Sequence, residues 1–197
     1  MIYSRALRAV TFMVTSMPHQ VEPIITLYPE LPVACREYDP RAAQVAQHLA
    51  QIIASHLPAV MVEHVGSTAV PGCAGKGIVD VMILYPPGQL EEVKALLDAL
   101  GFQRQKTRDP FPEDRPMRRG AIEREGTLFR LHAHVLASDS PEVTEFRRFR
   151  DQLRADPELM AAYIQRKRAI IESGVTDSID YCERKGSFVT AVLEALH

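Results

Sequence analysis

In the stretch Glu63-His64-Val65-Gly66-Ser67-Thr68-Ala69-Val70-Pro71-Gly72, a glycine and two hydroxyl residues follow an apolar run. Lys76 and then Ile78-Val79-Asp80-Val81 come close behind. Gly66 lets a ligand approach the backbone closely. Ser67 and Thr68 add hydroxyls and backbone N–H groups, the ingredients of an anion nest. Lys76 supplies a positive charge, and Asp80 a carboxylate that could hold a divalent ion. The chemistry this set suits is the holding of phosphate oxygens. Two familiar phosphate loops are excluded. Gly75-Lys76 fails the P-loop spacing, because Val70 stands at the first glycine position and Gly77 replaces the Ser or Thr, and no G-x-G-x-x-G occurs. Taken alone, a Gly-Ser pair with a later aspartate describes a turn and a capped strand.

A second group lies on the alternating run Thr127 to Leu136. Leu128, Arg130, His132, His134 and Leu136 share one face, while Phe129, Leu131, Ala133 and Val135 share the other. Two imidazoles so placed can bind a metal jointly, or can be hydrogen-bonded inside a polar cleft. Arg115, Arg118 and Arg119 could close over phosphate oxygens with their guanidinium forks, or be a solvated loop.

Gly66-Ser67, a dozen or so residues, and then an acid on an apolar strand resembles the signature of the nucleotidyltransferase superfamily. The fuller string from Glu63 to Gly72, with Lys76 and Asp80, resembles the GrpB family specifically. Further matches follow in order: Tyr38-Asp39-Pro40, the His132-x-His134 strand, the run Phe149 to Arg154 with Pro157 beyond, Tyr163, Lys167, Tyr181 and Lys185-x-x-Phe188. The likeness covers roughly residues 35 to 196. It implies a nucleotidyltransferase-like mixed sheet flanked by helices and a nucleotide or other phosphate-bearing ligand. The expected ligand site comprises Gly66, Ser67, Thr68, Lys76, Lys167 and Lys185, with Asp80 as the catalytic or metal residue. GrpB-like proteins occur alone or fused to dephospho-coenzyme A kinase and mostly lack an assigned reaction, and fold analogy does not establish one. Active nucleotidyltransferases place a second acid two residues after the first, and this chain has Met82 there. A thioether is a poor Mg²⁺ ligand, so Met82 reads as core. His132 and His134 with Asp80 could replace the missing ligand, a set suited to Zn²⁺, Mn²⁺ or Fe²⁺ rather than Mg²⁺. The readings that follow are nucleotidyl or phosphoryl transfer with a divalent metal (Mg, Mn or Zn), or non-catalytic binding of a nucleotide or coenzyme A-like ligand.

The elements that must position these groups follow from periodicity and turn signals. Asp39-Pro40 opens a helix to about His56, with Val45, Leu49, Ile52 and Ile53 as its apolar stripe. Strands are expected over 59–65, 78–85 and 127–136, and a helix over 89–100 closed by Gly101. Residues 103–126, charged and marked by Pro110, Pro112 and Pro116, read as a long mobile loop. Ser140-Pro141, Asp156-Pro157 and Ser178 open three C-terminal helices. Their basic runs, Arg147 to Arg150 and Arg166-Lys167-Arg168, read as solvated faces. The whole is an α/β (α+β) domain over 35–197. Ahead of it, 1–34 reads as a peripheral or disordered leader, with initiation near Met17 an option. Arg5 and Arg8 before a short apolar run faintly imitate a signal peptide.

Composition narrows the classes. Hydrophobic residues make up 46% and charged residues 24% of 197, a globular balance that argues against wholesale disorder. Lys and Arg total 23 against 25 Asp and Glu, which lacks the field of a nucleic-acid coat. A nucleic-acid partner is therefore not expected. No apolar stretch reaches the ~20 residues of a membrane span. Cys35, Cys73 and Cys182 are far apart with no C-x-x-C pair. They read as free, buried thiols of a reducing compartment, hence a cytoplasmic protein.

Overall fold

The structure, a computed structural model, describes residues 21–195. Asp39 accepts a hydrogen bond from the Arg41 N–H at 2.9 Å and so caps α1 (Arg41–His56), whose stripe of Val45, Leu49 and Ile53 is fully buried. The chain continues through β1 (Met61–Val65), a single 3₁₀ turn (Ser67–Ala69), β2 (Ile78–Tyr85) and α2 (Leu90–Leu100). Gly101, at φ +99°, closes α2 in the left-handed conformation. Short β3 (Gln103–Arg104) leads to a hairpin of β4 (Met117–Arg124) and β5 (Thr127–Ala137). Its two turn residues, Glu125 and Gly126, both have positive φ. Three helices follow, α3 (Pro141–Ala155), α4 (Pro157–Glu172) and α5 (Ser178–Glu194).

The five strands form one mixed sheet in the order β1-β2-β5-β4-β3. Only β2 and β5 run parallel, which requires a crossover, and α2 with the β3–β4 segment provides it. One face carries the main apolar core. Val79, Val81 and Ile83 of β2 and Leu131, Ala133 and Val135 of β5 are completely buried against α1 and α2. The other face is divided. Met82 and Leu84 join Val65, Leu136 and Val143 of α3 in a small apolar cluster, whereas Asp80, His132 and His134 leave a polar strip. The α3–α5 segment covers that side through Leu153, Tyr163 and the Phe188 ring, packed on Val70 and Cys73 of the 66–77 loop. This is the expected α/β class: a mixed sheet flanked by helices, with a helical C-terminal segment.

Three local expectations are corrected. The stretch 103–126 is not one long loop, because Met117–Arg124 is a full sheet strand. Its alternation is hidden because Arg118 is buried on the α2 side, where Glu113 pairs with it at 2.9 Å. Residues 21–34 contain no helix or strand, as their prolines require. Even so, Ile25 is 5% exposed within the main core, the Ile24 and Ile25 N–H groups donate to the Leu100 carbonyl, and Thr26 bridges Ala121. An extended chain without a regular partner can still bury a side chain. The remainder of the expected leader, residues 1–20, lies outside the described residues. All three cysteines are free, but only Cys73 is buried; Cys182 is exposed. Among the described residues no helix is long and apolar enough to cross a membrane.

Candidate functional site

β1 delivers the chain to Gly66 at φ +70°, a conformation natural to glycine. A Cβ there would sit 2.6 Å from Asp80 Oδ2, so the turn can rest directly on the aspartate only because the side chain is missing. Parallel pairing puts Asp80 opposite His132 and Met82 opposite His134. Asp80 Oδ1 lies 3.3 Å from His132 Nδ1 and 3.7 Å from His134 Nε2. Burial works against ionisation of Asp80, but the hydrogen-bonding imidazoles outweigh it and hold the carboxyl below its usual range. Burial lowers the His132 imidazole despite the opposing pull of Asp80. His132 Nε2 lies 3.2 Å from the Tyr28 hydroxyl, and the two rings stack at 5.5 Å.

The serine turn is linked to the helices through Gly75, which is pinned by paired backbone hydrogen bonds to Arg36. A Cβ on Gly75 would lie 2.6 Å from Ser67 Oγ and 3.3 Å from Lys167 Nζ, so hydroxyl and ammonium converge over this glycine. Lys167 is buried, contrary to the solvated face expected for its run, while Arg166 and Arg168 are exposed. It donates to the Ala74 carbonyl, lies 3.4 Å from Cys73 Sγ and stands 4.2 Å from the centre of the Tyr163 ring. Burial lowers its pKa. Lys185 is held above its usual range by Tyr163, with Cys182 and Asp80 adding to the effect. Lys76 donates to Ser178 Oγ at 3.0 Å and lies over the Tyr181 ring at 5.0 Å.

Thr68 is placed differently from the expectation. Its hydroxyl is buried, donates to the Ile78 carbonyl at 3.0 Å and meets His64 Nε2 at 3.0 Å. That hydroxyl stitches the turn to β2 rather than facing a ligand. Burial pushes the His64 imidazole down to about 4. Arg115 pairs with Glu142 and Arg118 with Glu113, so of the three arginines only Arg119 reaches the cleft. On α3, Arg147 and Arg150 clamp Glu63, and Arg154 donates to the Ala69 carbonyl behind the turn.

The residues expected to hold a metal, Asp80, His132 and His134, are engaged with one another. Both imidazoles turn a nitrogen to the same Asp80 oxygen, and the other His132 nitrogen goes to Tyr28. Met82 is completely buried where a further ligand would stand. Among the described residues no group of three or more His, Cys, Asp or Glu side chains is arranged to hold a metal ion. A cavity of about 370 Å³ opens beside His132, with Lys76, Arg119, Arg130 and Tyr28 among its walls. Ser67, Asp80, Lys167 and Lys185 do not line it. Sequence reasoning missed Tyr28, the residue that closes over His132; it lies in the proline-marked stretch taken as leader, and no periodicity marks it.

Comparison with known proteins supports the same frame. The model of the GrpB protein family matches residues 32–195. A UPF0157 protein of Streptomyces coelicolor is 34% identical over 163 residues, covering 82% of this chain and 83% of its own. One from Halalkalibacterium halodurans is 29% identical, over 80% and 79% of the two chains. The crystal structure of the conserved protein GrpB from Enterococcus faecalis superposes with a TM-score of 0.63 at 20% identity, over 83% of this chain and 99% of that one. The GLD-2/RNP-8 complex structure gives a TM-score of 0.51 at 12% identity, over 78% of this chain and 58% of that one, a likeness of fold alone. With the glycine-serine turn beside a half-buried strand aspartate and the paired histidines, and a family match spanning nearly all of the described residues, this chain belongs to the GrpB family.

Proposed function

We propose that the protein binds a nucleotide or another phosphate-bearing ligand at the Gly66-Ser67 turn. The observation that carries this reading is the convergence of Ser67 Oγ and Lys167 Nζ over the bare backbone of Gly75. A hydroxyl and a buried ammonium converging where a glycine lacks a side chain form a compact donor set for phosphate oxygens, worth most where water is excluded. Lys185 adds positive charge near Asp80, and Lys76 adds it toward the cavity. Thermal unfolding against a panel of nucleoside mono-, di- and triphosphates and coenzyme A tests the reading. A ligand at a hundred times its Kd should add about 2.7 kcal/mol, and Lys167→Met should abolish that gain. A flat panel would sink it.

Metal-dependent nucleotidyl or phosphoryl transfer is the finer reading. It assigns Asp80 to a divalent ion with His132 and His134 beside it. The buried Met82 and the mutual engagement of Asp80 with both imidazoles favour binding without transfer. Incubation with nucleoside triphosphates and Mg²⁺, Mn²⁺ or Zn²⁺ separates the two. Turnover that disappears in Asp80→Ala supports transfer, and ligand stabilisation without turnover supports the binder.

A further inference from the structure

Two further buried cations stand away from the serine turn. Arg119 of β4 faces His132 in register, and Arg130 of β5 faces Ala121. Each is only 8% exposed. Arg119 Nη1 meets the Glu30 carboxylate at 2.7 Å. Arg130 donates from Nη2 to the Lys76 carbonyl at 2.6 Å and has no carboxylate partner among the described residues. The Tyr28 ring lies 4.9 Å from the Arg119 guanidinium carbon and 5.9 Å from that of Arg130. All three residues line the cavity of about 370 Å³, and Lys76 and Lys106 extend its positive wall, while Arg108 beside them is paired with Asp180 at 2.8 Å. On the acidic side, Asp177 is spent on capping α5, where it accepts the Ile179 and Asp180 N–H groups. That leaves Glu30, which is largely exposed on a segment flanked by Pro29 and Pro32.

Burying a guanidinium without a matching anion is costly. Two are buried side by side here, and one exposed carboxylate answers one of them. We propose that Arg119, Arg130 and Tyr28 form a binding subsite for the carboxylate of a small organic acid, with Glu30 as its intramolecular stand-in. A planar guanidinium fork accepts a planar carboxylate through two parallel hydrogen bonds. The Tyr28 ring supplies a flat wall for the acid's carbon skeleton. Arg119, His132 and Asp80 occupy one row across three strands, about 10 Å from first to last, so a bound acid extends toward Asp80. Assigning the acid as an acceptor in a transfer rests on the phosphate-turn reading; its affinity for the subsite does not.

The test is calorimetric and thermal-shift titration of the full chain at constant ionic strength, with acetate, succinate, glutarate, citrate, inorganic phosphate and ATP as separate probes. At least one carboxylate stabilises the protein, and Arg130→Met weakens its binding at least tenfold. Arg130→Lys keeps the charge without the fork and shows a comparable loss, with circular dichroism confirming the fold. Glu30→Gln, an exposed change that leaves the buried pair intact, strengthens acid binding several-fold by removing the competitor. The proposal is overturned if no carboxylate shifts the wild-type protein, if inorganic phosphate alone does so, or if Glu30→Gln fails to raise acid affinity. An ATP effect with no acid effect overturns this subsite and leaves the serine turn standing. An acid effect without an ATP effect supports the subsite and counts against the turn.

Discussion

Gly66 joins backbone conformation to the chemistry of Asp80. A side chain there meets both a positive φ and the Asp80 carboxylate 2.6 Å away. Gly66→Ala should therefore cost about 1–3 kcal/mol in urea unfolding and weaken binding of any ligand that uses the turn. His64 gives a pH signature. Its folded pKa of about 4 lies below the ordinary 6.5 because burial disfavours the imidazolium. The unfolded chain thus takes up the proton first as pH falls. The contribution is complete above pH 6.5 and declines as pH drops from 6.5 toward 4, by roughly 2–3 kcal/mol. The stability difference between wild type and His64→Gln, followed over that range, should narrow accordingly. At this scale the sequence was informative where strand alternation decides, since it put His132 and His134 on one face; the poor fit of a thioether to Mg²⁺ put Met82 in the core. It could not say that the Thr68 hydroxyl bonds inward to the Ile78 carbonyl, because that choice depends on a strand ten residues away.

At the scale of elements, α4 matters because it carries Lys167 into the protein. Asp156 accepts the Leu159 N–H at 2.9 Å at its first turn. Asp156→Ala should cost about 1 kcal/mol, read as a lower denaturant midpoint with an unchanged slope. Helices and the strands β1, β2 and β5 were legible from period and caps: α1, α2 and β2 begin and end within a few residues of where Pro, Gly and apolar spacing put them. β4 was not. Its run Met117-Arg118-Arg119-Gly120 carries two consecutive arginines, and both are buried, one toward α2 and one toward the cleft. A strand whose two faces each bury a paired cation has no hydrophobic alternation to read, so partner acids such as Glu113 and Glu30 must be known first.

Across the whole molecule, the stretch before residue 35 is anchored to the packed body through Ile25. Gly120 has no side chain, and a Cβ there would fall 2.1 Å from the Ile25 side chain, so the sheet is shaped around that residue. Ile25→Ala should lower stability by about 2–4 kcal/mol, measurable by calorimetry; a change below ~0.5 kcal/mol would mean the segment contributes little. The same segment brings Tyr28 over His132. One consequence of the lone parallel pairing concerns how the protein comes into being. Asp80 and His132 meet only after some fifty residues have looped out and β5 has docked alongside β2, a distant closure whose entropy is met before its contacts form. No fragment holding one of these strands alone has half a cleft, so on refolding, ligand capture should arise together with the final cooperative phase rather than ahead of it.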